Sequence, residues 1–533
     1  MTQRLRQLWH RHPVVREALL WAVPALLFGL LLRLCLLSYI PYAYWGSDSR
    51  SYFDFTYKLY DQHYFSLVEK RRFLYPIFIA VVHALPGSPL HWLGWIQHAF
   101  GLLAVLPIAY VIRKTCTFWR WWIIPLTILY TGMPLLLWYE HELLAETMMF
   151  SLAAWACGGW TAWALEERPE RAARLWWWFL IPFACLILTK PAARFFWPGL
   201  GLGLLYLRAW RRMKLAGVLA TIALMVITLF VGSKKHGAWL MYVATFPLTQ
   251  LETPLHAEYK AQIADDVRKH RARIEHYFHE DEWVFAFLEN PSKQTERPLW
   301  TKLESQPDLK PKIYKDLALE AIKANPGLFL MMGRDRLLGS ANISDFKRAR
   351  YNASYYPDRF ANDYTHAGET IAQGRAAPEA MALGLPKRGP LPPYAEIREK
   401  LAPVHDGWAE RFITGWIAGY ATHGDLVAWP PGKERDQIGS MARPTLLGWY
   451  FLAAMAAAFT TRRYLRTHGV WVLAALSYLA GVFLLTQVNV RYFGAAWPAL
   501  LPILVLPLDL LCSLVARLAK GRREDLQTPG PTT

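Results

Sequence analysis

Residues 17–40 read EALLWAVPALLFGLLLRLCLLSYI, with Arg33 the only charge after Glu17. A bilayer core is about 30 Å thick and takes ~20 predominantly apolar residues in a helix, so this stretch spans a membrane. It is too long for a signal-peptide core and lacks a small-residue cleavage site. It therefore reads as a retained first transmembrane helix, preceded by the basic residues Arg4, Arg6, Arg11 and Arg16. Nine further segments have the same character: 90–112, 120–138, 142–164, 175–190, 194–208, 214–232, 443–460, 468–487 and 493–516. The run 73–85 is short and follows polar sequence, which predicts an interfacial helix and not a span.

The whole chain agrees. Of 533 residues 54% are hydrophobic and 19% charged, where a soluble domain carries about 25% charged residues. Lys plus Arg is 59 against 41 Asp plus Glu, a formal charge of +18. The excess forms no single patch, which excludes a nucleic-acid binder. Residues 233–440 are near neutral, with 28 basic and 27 acidic residues. Of the 31 basic residues elsewhere, 21 fall in the N-terminus, 113–120, 166–174, 208–214, 462–466 and the tail from Arg517. By the positive-inside rule these pieces are cytoplasmic. Residues 41–72, 138–142, 190–194, 233–440 and 488–492 then face outside. The five cysteines lie in or beside apolar runs and form neither a disulfide framework nor a zinc-ligand spacing.

The expected organisation is an N-terminal transmembrane catalytic module over 1–232, with a first outer loop at 41–72 and the interfacial helix at 73–85. An outer-side, largely helical domain over 233–440 follows, then C-terminal transmembrane helices over 441–518 and a disordered cytoplasmic tail over 519–533. Within the outer domain, 255–287 and 310–338 mix charged and apolar positions at helical spacing; 386–393 and 429–432 are Pro-rich connectors. The fold class is thus mainly α, polytopic, with about ten transmembrane helices.

Four pieces carry candidate chemistry, all at outer helix ends. In YAYWGSDSRSYFDF, Asp48 or Ser47 stands where a helix begins and serves either as its cap or, for Asp48, as a general base at the membrane surface; Tyr52 and Asp54 follow on the next turns. In WYEHELLAETMMF, Glu140, His141 and Glu142 sit at a helix end, while Glu146 lies a turn inside an apolar helix. A carboxylate there needs a partner, and the alternatives are a structural ion pair or an active-site wall. In CLILTKPAARFFWP, Lys190 precedes a Pro and Arg194 follows one turn on. In TQVNVRYFGAAWP, Arg491 and Tyr492 end the last outer loop. Such cations are snorkelling anchors or, acting together, a clamp for a phosphate at headgroup depth. Arg33, buried in the first span, also needs a partner, and Glu146 is one candidate.

The ordered landmarks DSRSY, RRFLYPIFIAV, HELLAETMMF, LTKP, AIKANPGLFL and RYFGAAWP resemble those of polyprenyl-phosphate-sugar-dependent glycosyltransferases. These belong to the GT-C class, and the nearest are bacterial relatives of protein mannosyltransferases and of the lipid A aminoarabinose transferase. The likeness covers the first 232 residues and the last 90 best. It implies a GT-C-type bundle, with Asp48 as catalytic base, Glu146 as a catalytic acid residue of the fourth span, and Lys190, Arg491 and Tyr492 on the donor phosphate. Tyr52, Asp54, Arg72, Tyr75, His141 and Arg194 are the expected substrate-binding residues. Two positions depart from the pattern: Ser49 and Arg50 follow Asp48 where a second acid is common, leaving Asp54 the nearest, and Arg72, Phe73 and Leu74 stand where Arg-Pro-Pro is frequent.

The resemblance further implies an inverting transfer from a polyprenyl-phosphate sugar to a glycan, lipid or protein acceptor, at the outer face of a bacterial inner membrane. Membrane lipids are the other partners. No Asp-x-Asp metal motif occurs, so no obligatory metal or other cofactor is expected, although Asp48 and Glu146 could hold a divalent ion. The rival readings are a lipid or saccharide transporter or flippase, and a membrane anchor for the 200-residue outer domain.

Overall fold

The computed structural model describes residues 13–46, 48–65, 73–116, 120–230, 248–269, 309–340, 378–385, 392–404, 407–423, 427–428, 443–485 and 493–527. These residues are mainly helical, with one pair of two-residue strands. The first part of the chain gives α1 (Pro13–Tyr39), α2 (Ser49–Tyr60), α3 (Leu74–His83), α4 (Pro89–Leu103), α5 (Val105–Thr115), α6 (Ile123–Thr131) and α7 (Pro134–His141). It continues through α8 (Glu146–Ala164), α9 (Pro169–Thr189), α10 (Trp197–Tyr206) and α11 (Leu215–Phe230). The polar segment contributes α12 (Ala257–Lys269), α13 (Leu309–Ala324), α14 (Pro326–Ser340), α15 (Pro378–Ala382), α16 (Tyr394–Leu401) and α17 (Ala409–His423). Strands β1 (Val427–Ala428) and β2 (Arg443–Pro444) pair antiparallel, and α18 (Leu446–Ala457), α19 (Val470–Leu485) and α20 (Leu506–Gln527) follow.

Five helices among the described residues are long and apolar enough to cross a membrane: Pro13–Tyr39, Pro89–Thr115, Pro169–Thr189, Arg462–Leu484 and Trp497–Ala519. The pair α6 and α7 makes a sixth if counted as one broken span, bent by 43°. The apolar helices Leu74–His83, Leu215–Thr228 and Leu446–Ala457 are shorter. The ten hydropathic segments therefore do not become ten long straight helices. Proline explains the break in 120–138. Pro134 lacks an N–H and drives Met133 to an extended conformation, which ends α6 and frees its last carbonyls. In an apolar surrounding those carbonyls must find donors. Arg33 donates to the Thr131 carbonyl at 3.2 Å, and the Trp416 indole donates to that of Gly132 at 2.6 Å.

Helix association inside a bilayer gains little from the hydrophobic effect and depends on close packing over small residues. Helices α8 and α9 pack along their length, and Gly159 is what allows it, since a side chain there would strike the Trp178 backbone. Around this seam the rings of Trp160, Trp163, Trp176, Phe179 and Phe183 touch in series, with Trp471 of α19 closing the set.

The polar segment is not detached from this bundle. Trp416 of α17 meets the Phe28 ring at 4.9 Å; Phe28 lies 11 residues before the end of α1 at Tyr39, or about 16 Å along its axis. At the other edge α15 packs on α2, and Ala380–Leu383 join Tyr52, Phe53, Tyr75 and Ile79 in one apolar cluster. A left-handed Gly384 (φ 70°) ends α15, with Leu385 N–H on the Ala380 carbonyl and Gly384 N–H on that of Met381. The amphipathic runs 255–287 and 310–338 are realised as α12, and as α13 followed by α14 across the Asn325–Pro326 junction; 270–300 and both Pro-rich connectors lie wholly or largely outside the described residues.

Candidate functional site

The 41–49 loop is clamped to the α7–α8 junction by main-chain bonds. Tyr44 N–H donates to the His141 carbonyl at 2.7 Å, Leu143 N–H donates to the Tyr44 carbonyl at 2.8 Å, and Tyr44 and Glu142 form a parallel bridge. The Ser49 hydroxyl adds a bond to the Leu143 carbonyl at 2.9 Å while accepting from Gly46 N–H at 2.8 Å. Gly46 itself lies flat on the Glu142 carboxylate, where any side chain would collide. The fourth segment consequently starts its helix later than hydropathy suggests. Residues 142–145 form an extended turn, and Glu146 is the first residue of α8, not one a turn inside it. There its carboxylate faces the positive end of the helix dipole.

Glu146 is fully buried, and its partner is Lys190, the residue that caps α9 before Pro191. The structural ion pair anticipated for Glu146 thus exists, and it uses the very lysine expected on the donor phosphate. The Arg33 partner is a different acid. Arg33 Nη2 donates to Glu140 Oε1 at 2.6 Å, its Nη1 donates to Thr131 Oγ1 at 2.9 Å, and its Nε donates to the His98 carbonyl at 3.2 Å. Glu140 Oε2 meets His98 Nδ1 at 2.9 Å, and His98 Nε2 meets His141 Nδ1 at 3.0 Å. This relay of four buried groups joins α1, α4 and α7. His141, expected to touch substrate, is inside it.

Gln97 ties the relay to the site. Its amide donates to the carbonyls of Glu140 and Glu142 at 3.0 and 2.8 Å, and its oxygen accepts from Tyr75 Oη at 2.5 Å. The Tyr75 ring meets Tyr52 edge-on at 5.1 Å. Burial, followed by the nearby Tyr52, Glu146 and Glu142, pushes the Tyr75 phenol well above its ordinary range. Burial does the same for Tyr44, reinforced by Tyr39 and Glu142. Both phenols are therefore neutral at physiological pH, and that of Tyr75 donates to Gln97.

Asp48 stands at the N-cap position of α2, but its side chain makes no capping bond; its carbonyl takes Ser51 N–H, Ser51 Oγ and Tyr52 N–H instead. The side chain is partly exposed, which suits a group that must meet an acceptor. Asp54 is drawn away into an i,i+4 pair with Lys58 at 2.7 Å. Arg194 sits on the short helix Pro191–Phe196 with its guanidinium 5.1 Å from the Phe195 ring centroid. Arg50, which follows the loop acid, pairs at 3.4 Å with Glu379 of α15, a buried carboxylate. Arg72, Arg491 and Tyr492 lie outside the described residues.

The structure thus brings Asp48, Tyr52, Tyr75, Glu142, Glu146 and Lys190 to one end of the bundle, and it leaves Asp54 out of the group. Sequence reasoning missed Gln97, His98 and the carboxylates of Glu140 and Glu142, which it took as ordinary interfacial residues. One sequence signal pointed to them. Gly101 lies one turn after Gln97 and His98, and a side chain there would occupy the place of the Glu140 carboxylate. Among the described residues no group of three His, Cys, Asp or Glu side chains is arranged to hold a metal ion. Comparison with protein-family models, with curated proteins and with solved structures finds no match.

Proposed function

We propose that the chain is an integral-membrane glycosyltransferase that moves a sugar from a polyprenyl-phosphate donor to a hydroxyl-bearing acceptor. In this reading the bundle is of GT-C type, with α8, α10, α11 and α18 completing about ten spans and α3 lying at the interface, and the site faces outward from a bacterial inner membrane. One observation carries it: the buried pair Glu146–Lys190 lies on the side of Tyr75 that also meets Tyr52, and Tyr52 stands on the first turn of the helix that partly exposed Asp48 begins. A base open to solvent at the same end of the bundle as a desolvated cation suits a transfer in which one partner loses a proton and the other gains negative charge.

Asp48 takes the acceptor proton as the acceptor oxygen attacks the anomeric carbon from the face opposite the phosphate. The bond from that carbon to the lipid phosphate oxygen breaks, its electron pair leaves with the phosphate, and the product is inverted. Lys190, supported by Arg491 and Tyr492, stabilises the departing phosphate; one such preorganised group contributes about 3 kcal/mol at the transition state. Glu146 holds the lysine ammonium in place between turnovers, and Tyr52 and Tyr75 shape the sugar subsite. The test is release of sugar from a radiolabelled polyprenyl-phosphate donor by the purified chain, with donor binding measured in parallel. Binding and bilayer crossing without any release favours the flippase reading instead.

A further inference from the structure

At the end of the bundle opposite Asp48, two arginines from distant parts of the sequence come together on the tryptophans of α8. The chain leaves α10 through Arg208, which adopts a left-handed conformation (φ 47°), and turns into the short helix Ala209–Arg212. Such a backbone is uncommon for a residue with a long side chain. It brings Arg212 back over the end of α8, where its Nη2 donates to the Trp163 carbonyl at 3.1 Å and its Nη1 to that of Ala164 at 3.4 Å. The same guanidinium lies 5.3 Å from the Trp163 ring centroid.

The second arginine arrives from a π-helical turn, Leu465–Gly469, inserted just before α19; such bulges recur at functional sites. The Arg466 carbonyl accepts from Trp160 Nε1 at 3.0 Å, and the Trp160 and Trp163 rings are 5.1 Å apart. Burial, then the Arg466 charge, lowers the Arg212 guanidinium from its usual value, while Glu166 and Glu167 act the other way. Glu166 itself pairs with Arg171 at 3.3 Å. Among the described residues the half-buried Arg466 side chain has neither a hydrogen bond nor an ion pair. Arg212 and Arg466 thus converge on the Trp160–Trp163 pair, and the Arg466 guanidinium lacks an ion-paired counter-charge among the described residues.

The neighbouring surface indicates how that charge arrives. Leu202, Leu205 and Tyr206, directly before the turn, are exposed and continuous with the apolar flank of α10. An acyl chain can lie on them while its headgroup reaches the turn. We propose that Arg212 and Arg466 form a phosphate-binding site for an anionic membrane phospholipid, the phosphoryl oxygens bridging the two guanidinium groups. This site is independent of the proposed transferase chemistry, which lies at the other end of the bundle.

The test uses the purified full chain in nanodiscs of phosphatidylcholine alone or with added phosphatidylglycerol, and in detergent with inorganic phosphate. Lipid retention is read by native mass spectrometry and stability by the thermal midpoint. The expected result is a phosphatidylglycerol-dependent rise in midpoint together with retained lipid. Arg466→Gln weakens retention about tenfold or more, as loss of a charge-assisted bond predicts. Arg462→Gln, which removes an exposed charge four residues earlier, leaves retention unchanged. Arg466→Lys keeps the charge without the fork and serves if the glutamine variant fails to fold; it should retain less lipid than the native chain. A response to inorganic phosphate equal to that with lipid, and lost in the Arg466 variants, supports the phosphate site but assigns it to a soluble anion. Equal losses in the Arg462 and Arg466 variants, or no selectivity for phosphatidylglycerol, overturn the proposal.

Discussion

Replacing Lys190 by methionine decides what the Glu146–Lys190 pair is for. The side chains are 8% and 0% exposed, so removing the ammonium strands a carboxylate in a site that water does not reach. Breaking a buried pair from one side costs about 3–5 kcal/mol. Replacing both partners by neutral groups of similar shape restores much of that loss, because no buried charge remains. Lys190→Met should therefore lower the thermal midpoint strongly, Glu146→Gln should do so too, and the double variant should recover most of it. The coupling from the cycle should exceed about 2 kcal/mol. Stability and chemistry then separate cleanly in the double variant. If Lys190 meets the departing phosphate, the refolded double variant binds donor weakly and transfers slowly despite its regained stability. Additive effects of the two single changes, within about 0.5 kcal/mol, would refute the buried pair itself. Full transfer activity in the stable double variant would leave the pair purely structural.

Asp48→Asn should lower transfer roughly 10²–10⁴-fold with donor binding intact; single-turnover release in a folded variant checks it. Gly101→Ala should destabilise by about 1–3 kcal/mol, because the added methyl displaces the Glu140 carboxylate from Arg33 and His98; detergent unfolding curves measure it, and a silent substitution would contradict the geometry. Tyr75 has its phenol raised above the ordinary 10.0, so an unfolded chain ionises there first. Its stabilising contribution is complete below that pH and is lost as pH rises toward the folded value. Thermal midpoints between about pH 9 and 11 should fall less steeply in Tyr75→Phe.

How much of this was legible in the sequence depends on what each signal measures. Hydropathy reports the environment of a run, not the continuity of its backbone. It placed α1, α9 and the spans beginning at Pro89 and Trp497 closely, and it identified 73–85 as too short to cross. It could not see that Pro134 breaks a span or that main-chain pairing with Tyr44 delays α8 to Glu146. The first is a local proline effect that hydropathy does not weigh, and the second is decided by hydrogen bonds between segments nearly a hundred residues apart. Charge within apolar sequence was the better guide to the site. It singled out Arg33 and Glu146 as residues that need partners, and each has one. What it could not supply was the pairing, because two acids, Glu140 and Glu146, lie six residues apart and either could face either cation. The break at Pro134 resolves that choice. It exposes the Thr131 carbonyl and hydroxyl beside Arg33, and a guanidinium with several donors in a fixed fork satisfies both and still reaches Glu140. An ammonium on a flexible stem could not serve the same set of acceptors. With Arg33 committed to Glu140, the nearer acid, Glu146 at the head of α8 is left to Lys190.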